Sequence, residues 1–215
     1  MLRRTAKSLM YGIGFVATAP LWLPEKIARR LYGEDVWLSA QSQALSLLPG
    51  KTGVLLRNAY YRMILASCPL HVCIQFGCVP AYSDIHIGKE VYIGLHCKLG
   101  LVDIGDGAII SDDVHILSGA RQHSAAGVTQ DFHMQPVHRD RISIGRNCWV
   151  GAHAVVMANV GDNCIIGAGA VVTQAIPANS IAVGIPARVI RTLETPVQVD
   201  AEAQQIAHPR LVERA

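Results

Sequence analysis

Charge is scarce in this chain. Only 16% of its 215 residues are Asp, Glu, Lys or Arg, the formal net charge is +3, and no long run of one sign occurs. Nucleic-acid binders carry concentrated basic patches, so that class is not implied. Close cysteine pairs are also missing. Cys68, Cys73 and Cys78 are evenly spaced around His71, but none of the six cysteines forms a C-x-x-C pair. That argues against a zinc site, and a reducing compartment suits these cysteines better than a disulfide framework. No apolar run reaches the length of a membrane span. The best stretch, Ser8 to Leu23, would cover about 24 Å as a helix, against roughly 30 Å of hydrocarbon. Arg3, Arg4 and Lys7 precede it and Lys26, Arg29 and Arg30 follow it. Ala17-Thr18-Ala19 has the small residues of an export cleavage site, but Pro20 directly after it argues against processing. The expectation is peripheral contact of 8–23 with the inner face of a cytoplasmic membrane, where cations suit anionic lipid. A helix packed on the rest of the protein is the structural alternative.

What the sequence does have is a six-residue beat. Aliphatic residues open successive hexads at Ile87, Ile93 and Leu99, at Ile104, Ile110 and Ile116, at Ile144, Val150 and Val156, and at Val160, Ile166 and Val172. Glycine usually follows, as at Gly88, Gly94, Gly100, Gly105, Gly145, Gly151, Gly161 and Gly167. The reading is a short flat run and then a corner, with glycine supplying backbone angles closed to other residues. The fifth position is small or branched (Val91, Cys97, Ala108, Val114, Ala120, Cys148, Ala154, Cys164, Ala170). Three hexads make one triangular coil of a parallel β-helix, and stacked coils bury the first and fifth positions.

The frame loses a residue between Leu99 and Ile104 and two between Val156 and Val160. Both read as tightened corners. After Ile116 an insertion from Arg121 to Arg141, rich in His, Gln and Asp, interrupts the repeat. A polar excursion from a rigid scaffold is where function usually sits. Before the repeat, Glu34–Leu48 and Val54–Ala66 read as helices broken at Pro49-Gly50, with Leu38, Leu45 and Leu48 near one face. Arg57, Tyr60, Tyr61 and Arg62 suit either membrane contact or packing over the end of the β-helix. The chain therefore divides into a helical region at 1–70, a β-helix at 71–193 with its loop at 121–141, and a flexible tail at 194–215.

The hexads, the histidine-bearing insertion and the closing segments Ile166-Gly167-Ala168-Gly169-Ala170-Val171-Val172-Thr173 and Ala182-Val183-Gly184-Ile185-Pro186-Ala187-Arg188 resemble the hexapeptide-repeat acyltransferases. The resemblance covers about residues 79–193, and the closing segment is its specific part. It implies a left-handed β-helix, contrary to the usual crossover hand. It also implies a homotrimer binding acetyl-CoA between subunits, without a metal. Leu47-Leu48-Pro49-Gly50 and Tyr60-Tyr61-Arg62 resemble, more loosely, acyltransferases of surface polysaccharide, which favours a sugar or glycan acceptor and O-acetyl transfer.

By this resemblance, His123 is the general base, because a neutral imidazole can take a proton from a hydroxyl during attack. His96 stands where sugar acetyltransferases carry an acceptor-holding asparagine. Asp112, Asp113 and Asp131 are open candidates to orient His123. Gly151, Ala152, Gly167 and Ala168 would hold the pantetheine arm and Trp149 would line the groove. Arg188 would meet a CoA phosphate, with Thr173 and Gln174 nearby. Three alternatives stand beside this reading. One is a serine O-acetyltransferase, faintly echoed by Asp84-Ile85-His86 but without that family's glycine-rich stretch around the histidine. Another is a γ-carbonic-anhydrase-like zinc enzyme drawing on His86, His96, His115, His123, His133, His138 and His153. The third is a trimeric scaffold without catalysis.

Overall fold

The computed structural model describes residues 2–121, 131 and 134–193, with side chains from residue 10 onward. The calls on His123, His133 and the tail at 194–215 fall outside these residues. Three helices, α1 (Leu2–Tyr32), α2 (Leu38–Ser46) and α3 (Gly50–Ile64), precede a run of short strands. The first coil consists of β1 (Cys73–Ile74), β2 (Val79–Pro80) and β3 (His86–Ile87); the second of β4 (Tyr92–Ile93), β5 (Lys98–Leu99) and β6 (Val102–Ile104). The third holds β7 (Ile109–Ile110), β8 (His115–Ile116) and β9 (Ile142–Ile144). Above it come β10 (Trp149–Val150) and β11 (Val155–Val156), then β12 (Ile165–Ile166) and β13 (Val171–Val172), and finally β14 (Ser180–Val183) and β15 (Arg188–Thr192).

Each strand pairs with its counterpart one coil away, giving a seven-stranded sheet (β1-β4-β7-β10-β12-β14-β15), a five-stranded sheet (β2-β5-β8-β11-β13) and a three-stranded sheet (β3-β6-β9). All pairs are parallel except β14 with β15, which closes the upper end. The shortened segment from Val156 to Val160 is a tightened corner: the third face continues there only through single bridges, Ile144 to Val160 to Ile176. The β-helix also begins one coil before the frame read from Ile87. Ile74 and Cys78 are buried like the later first and fifth positions.

The hexad openers and the fifth positions form one continuous core. Ala120 is the exception: it is exposed, because the chain is already leaving for the insertion. The three fifth-position cysteines do more than fill space. Cys97, Cys148 and Cys164 donate their thiol hydrogens to the carbonyls of Ser111, Gly161 and Pro177 at 3.0, 3.0 and 3.1 Å. Burial pushes the Cys97 and Cys148 thiols up to about 11, so neither is a ready thiolate.

The second-position glycines are there for a different reason from the one expected. None of Gly88, Gly94, Gly100, Gly105, Gly145, Gly151, Gly161 or Gly167 has a left-handed φ. Instead they lie under the backbone of the next coil, except Gly167, which lies under the Val183 side chain. A Cβ at Gly105 would sit 2.6 Å from the nitrogen of Arg146, and one at Gly151 or Gly161 would sit 2.5 Å from the nitrogen of Ala168 or Ala178. The left-handed turn falls two residues later. Glu90, His96, Asp113, Asn147, His153, Asn163 and Asn179 have φ between 53° and 60°. Asn, Asp and His tolerate that region better than other side chains. There the N–H turns to the coil beneath: His96, Asp113 and His153 donate to the carbonyls of Phe76, Leu95 and Asp112 at 2.9, 2.8 and 3.0 Å.

The lower end is sealed by α2 and α3. Arg57, Tyr60 and Tyr61 are buried, so α3 uses that face for packing over the β-helix end and not for membrane contact. The Arg57 guanidinium donates to the carbonyls of Ile74 (3.0 Å), Leu45 (3.0 Å) and Leu48 (2.7 Å), tying α2 to the first strand. Desolvation lowers its pKa. Leu48 itself is exposed, unlike Leu38 and Leu45, because α2 ends at Ser46 before reaching it.

Close approach of the coils predicts unequal effects of equal substitutions. Gly105→Ala should lower stability by about 1–3 kcal/mol, since backbone and not a flexible side chain must yield. Gly12→Ala, on α1 with open space around it, should be neutral or stabilising by up to about 1 kcal/mol. Chemical denaturation of both variants checks this.

Candidate active site

One edge of the β-helix, between the seven-stranded and five-stranded sheets, gathers most of the candidates. Its rungs are the corners at 94–97, 111–114, 151–154 and 167–170, which join β4 to β5, β7 to β8, β10 to β11 and β12 to β13. At the lower rung a carboxylate satisfies the corner: Asp112 Oδ1 accepts the N–H of Leu95 at 2.7 Å. Asp106 and Asp162 do the same for Lys89 (2.7 Å) and Arg146 (2.8 Å) on a neighbouring edge. The hydrogen bond from the Arg146 N–H, joined by its guanidinium, holds the Asp162 carboxyl below its usual range. Higher on the candidate edge the equivalent residues are Ala152 and Ala168. With no carboxylate there, the N–H groups of Asp112, Ala152 and Ala168 meet no acceptor among the described residues.

Trp149 stands beside this row, 52% exposed, its Nε1 donating to Ser111 Oγ at 3.1 Å. At the top, Val171 N–H donates to Gly184 and Ala187 N–H donates to Val171, at 3.0 and 2.8 Å. This folds the Gly184–Ala187 turn over the edge and leaves Arg188 exposed at its end. Trp149, Gly151, Ala152, Gly167, Ala168 and Arg188 are therefore brought together. The two glycines offer no free donor, because their N–H groups go to Ile166 (2.8 Å) and Ala182 (2.9 Å) in the coil above. Their role is the close approach that sets the alanines in a row.

His96 lies on the same edge near its lower end, exposed, its ring edge-on to Phe76 at 5.4 Å. The missing side chain of Gly77 makes room for it. Left-handed φ and this packing account for a histidine there without an acceptor. Thr173 and Gln174 do not join the edge. They follow β13 and sit at the far side of the five-stranded sheet, on the corner from which the insertion leaves.

The root of the insertion is well defined. Ser118 is buried, accepts the Leu101 N–H on its Oγ at 2.9 Å, and accepts the Asp140 N–H on its carbonyl at 3.0 Å. Gly119 has φ +86° and lies under the Asp140 carboxylate, so the chain leaves and returns at one point. Asp112 is committed to Leu95 and Asp113 to its corner, whereas Asp131 is exposed. Two His–Asp pairs went unread in the sequence. His138 Nε2 meets Asp140 Oδ1 at 2.9 Å beside the loop root, and His86 Nδ1 meets Asp103 Oδ1 at 2.9 Å on the three-stranded face, where Arg141 also reaches Asp103 at 2.6 Å. The i, i+2 spacing of an extended segment was the available signal for the first. The second depends on strand register and had none. Among the described residues no three His, Cys, Asp or Glu side chains converge as a metal site.

Comparison with known proteins agrees with the fold. Residues 141–174 match the family described as hexapeptide repeat of succinyl-transferase. The chain is 38% identical over 117 residues to galactoside O-acetyltransferase of Escherichia coli K12, covering 52% of this chain and 55% of that protein. It is 41% identical over 112 residues to nodulation protein L of Rhizobium leguminosarum bv. viciae, covering 49% and 56%. The chain thus spans about half the length of the curated relatives it matches. Among solved structures, a maltose O-acetyltransferase from Clostridium difficile 630 superimposes with a TM-score of 0.66 at 24% identity, over 74% of this chain and 86% of that one. A galactoside acetyltransferase in complex with coenzyme A gives 0.62 at 27% identity, over 73% and 81%. In its repeat at 141–174 and in its fold, the chain is similar to hexapeptide-repeat acetyltransferases.

Proposed function

We propose that the protein is an O-acetyltransferase carrying an acetyl group from acetyl-CoA to a hydroxyl of a sugar or surface-polysaccharide precursor. The observation that carries this reading is the row of unclaimed N–H groups at Asp112, Ala152 and Ala168, with Trp149 beside it and Arg188 above. Successive coils lie about 4.8 Å apart, so the row offers donors at regular intervals to an extended chain bearing amide carbonyls. The pantetheine arm is such a chain, and it would add to the edge as an extra strand does. Arg188 presents a guanidinium fork to a CoA phosphate. The similarity to a galactoside O-acetyltransferase supports a sugar acceptor.

In the reaction, His123 takes the acceptor's hydroxyl proton as the oxygen attacks the thioester carbonyl. The tetrahedral intermediate collapses, the C–S bond breaks, and the thiolate leaves as CoA, recovering the proton from the imidazolium. His96 would sit at the acceptor end of the edge. The insertion leaves from the far side of the five-stranded sheet from the donor row. A neighbouring copy in a homotrimer would bring the loop of one subunit to the edge of the next.

His123→Ala should reduce turnover by about 10²–10⁴-fold while CoA affinity changes little. Thiol release from acetyl-CoA with a panel of sugars, nucleotide-sugars and lipid-linked sugars measures the first, and calorimetry the second. Near-normal turnover would remove His123 from its role. Ala168→Asp tests the donor row. The new carboxylate should accept the Ala152 N–H as Asp112 accepts that of Leu95, so the protein should keep its melting temperature yet bind CoA about tenfold or more weakly, by blockage and charge repulsion. Unchanged affinity in a folded variant would place CoA elsewhere.

A further inference from the structure

Helix α1 is inside out for a helix in water. Apart from Leu21 and Trp22, which pack half-buried against the core, the residues it turns toward the rest of the protein are small or polar. Gly14 lies against Ala59 and Leu55 of α3. Thr18 is buried, its hydroxyl bonded to the Gly14 carbonyl at 2.9 Å. Ala28 is buried, and so is Glu25, whose carboxylate accepts the N–H groups of Val36 and Trp37 at 3.0 and 2.7 Å, at the start of α2. Most of the large aliphatic residues face out. Ile13, Val16, Leu23, Ile27 and Leu31 are 49–72% exposed. At about 100° per residue they fall in one arc directly opposite Gly14, Thr18, Glu25 and Ala28. A surface helix normally shows the reverse arrangement.

Charge on this helix has one accessible sign. Residues 2–32 hold Arg3, Arg4, Lys7, Lys26, Arg29 and Arg30 against the single acid Glu25, which is buried and spent on α2. Lys26 and Arg30 flank the apolar arc on one side. Trp37, 46% exposed, lines a separate apolar cleft of about 480 Å³ with Leu21, Ala44 and Leu48. The arc from Ile13 to Leu31 runs about 27 Å at 1.5 Å per residue. Among the described residues no helix is long and apolar enough to cross a membrane. A second copy is a poor occupant, because it would bring like-charged flanks together.

We propose that the outer face of α1 docks flat on an anionic bilayer. The aliphatic arc enters the headgroup boundary, and the lysine and arginine heads reach lipid phosphates. This rests on a surface separate from the candidate active site, and its test does not use activity.

The test is co-sedimentation of the full-length protein with vesicles of phosphatidylcholine alone or mixed equally with phosphatidylglycerol. The protein should sediment with the mixed vesicles about tenfold or more better than with the neutral ones, and high salt should weaken binding. Ile13→Ser with Val16→Ser and Ile27→Ser, and separately Lys26→Glu with Arg30→Glu, should each reduce binding about tenfold, with unchanged circular dichroism and oligomeric mass. No preference for anionic vesicles would overturn the proposal. So would a serine variant that binds vesicles normally but forms a smaller oligomer, which would assign the face to a second copy.

Discussion

Every feature of this protein depends on how closely one coil's backbone settles on the next. Parallel strand pairs hold successive turns about 4.8 Å apart, and at each corner the chain above presses its amide nitrogen where a side chain beneath would be. Gly105, Gly145, Gly151 and Gly161 are the positions that permit it. Once the coils are in register, the interior needs only one large and one small residue per hexad. Among the described residues, the only aromatic side chains in the buried core, Tyr60 and Tyr61, belong to the helix that seals the lower end.

The same stacking turns backbone chemistry into a surface property. A corner N–H on one coil meets whatever side chain the next coil supplies at the equivalent place. Aspartate at 106, 112 and 162 closes the corner below it. Alanine at 152 and 168 leaves it open, and the open places fall consecutively along one edge, beside Trp149 and beneath Arg188. A substitution pattern on a repeating scaffold thus becomes a linear row of donors. The turn at Gly184–Ala187 and the β15 hairpin end that row, and Asp112 limits it from below.

Much of the β-helix was legible in the sequence because the first and fifth hexad positions have a strict physical requirement, burial, that residue type reports directly. Position two was visible but misread. Glycine signals both unusual φ and close approach, and only the coordinates separate them. The left-handed position was hidden because Glu90, His96, Asp113, Asn147 and His153 share no hydropathy or charge. They share only tolerance of one backbone region. For His96 that tolerance is a backbone reason beside the acceptor role that the resemblance implies. The first coil lies within the β-helix read at 71–193, but Gln75 and Pro80 stand where glycine and an aliphatic opener would extend the hexad frame, although Ile74 and Cys78 keep its buried positions. The candidate donor edge could be named residue by residue from the resemblance, but the unequal availability of its N–H groups could not, since it depends on which coil lies above. The apolar stretch at 8–23 was visible as composition, whereas the direction its large residues face was settled by α3.

The account's central claim is that the edge of open corners is the acyl-donor site. A crystal structure of the protein with coenzyme A tests it most directly. The account predicts the pantetheine arm running along 112, 152 and 168, with its amides bonded to those N–H groups, its thiol near Trp149 and a phosphate at Arg188. Coenzyme A bound on another face, with the Ala152 and Ala168 N–H groups still open, would contradict it.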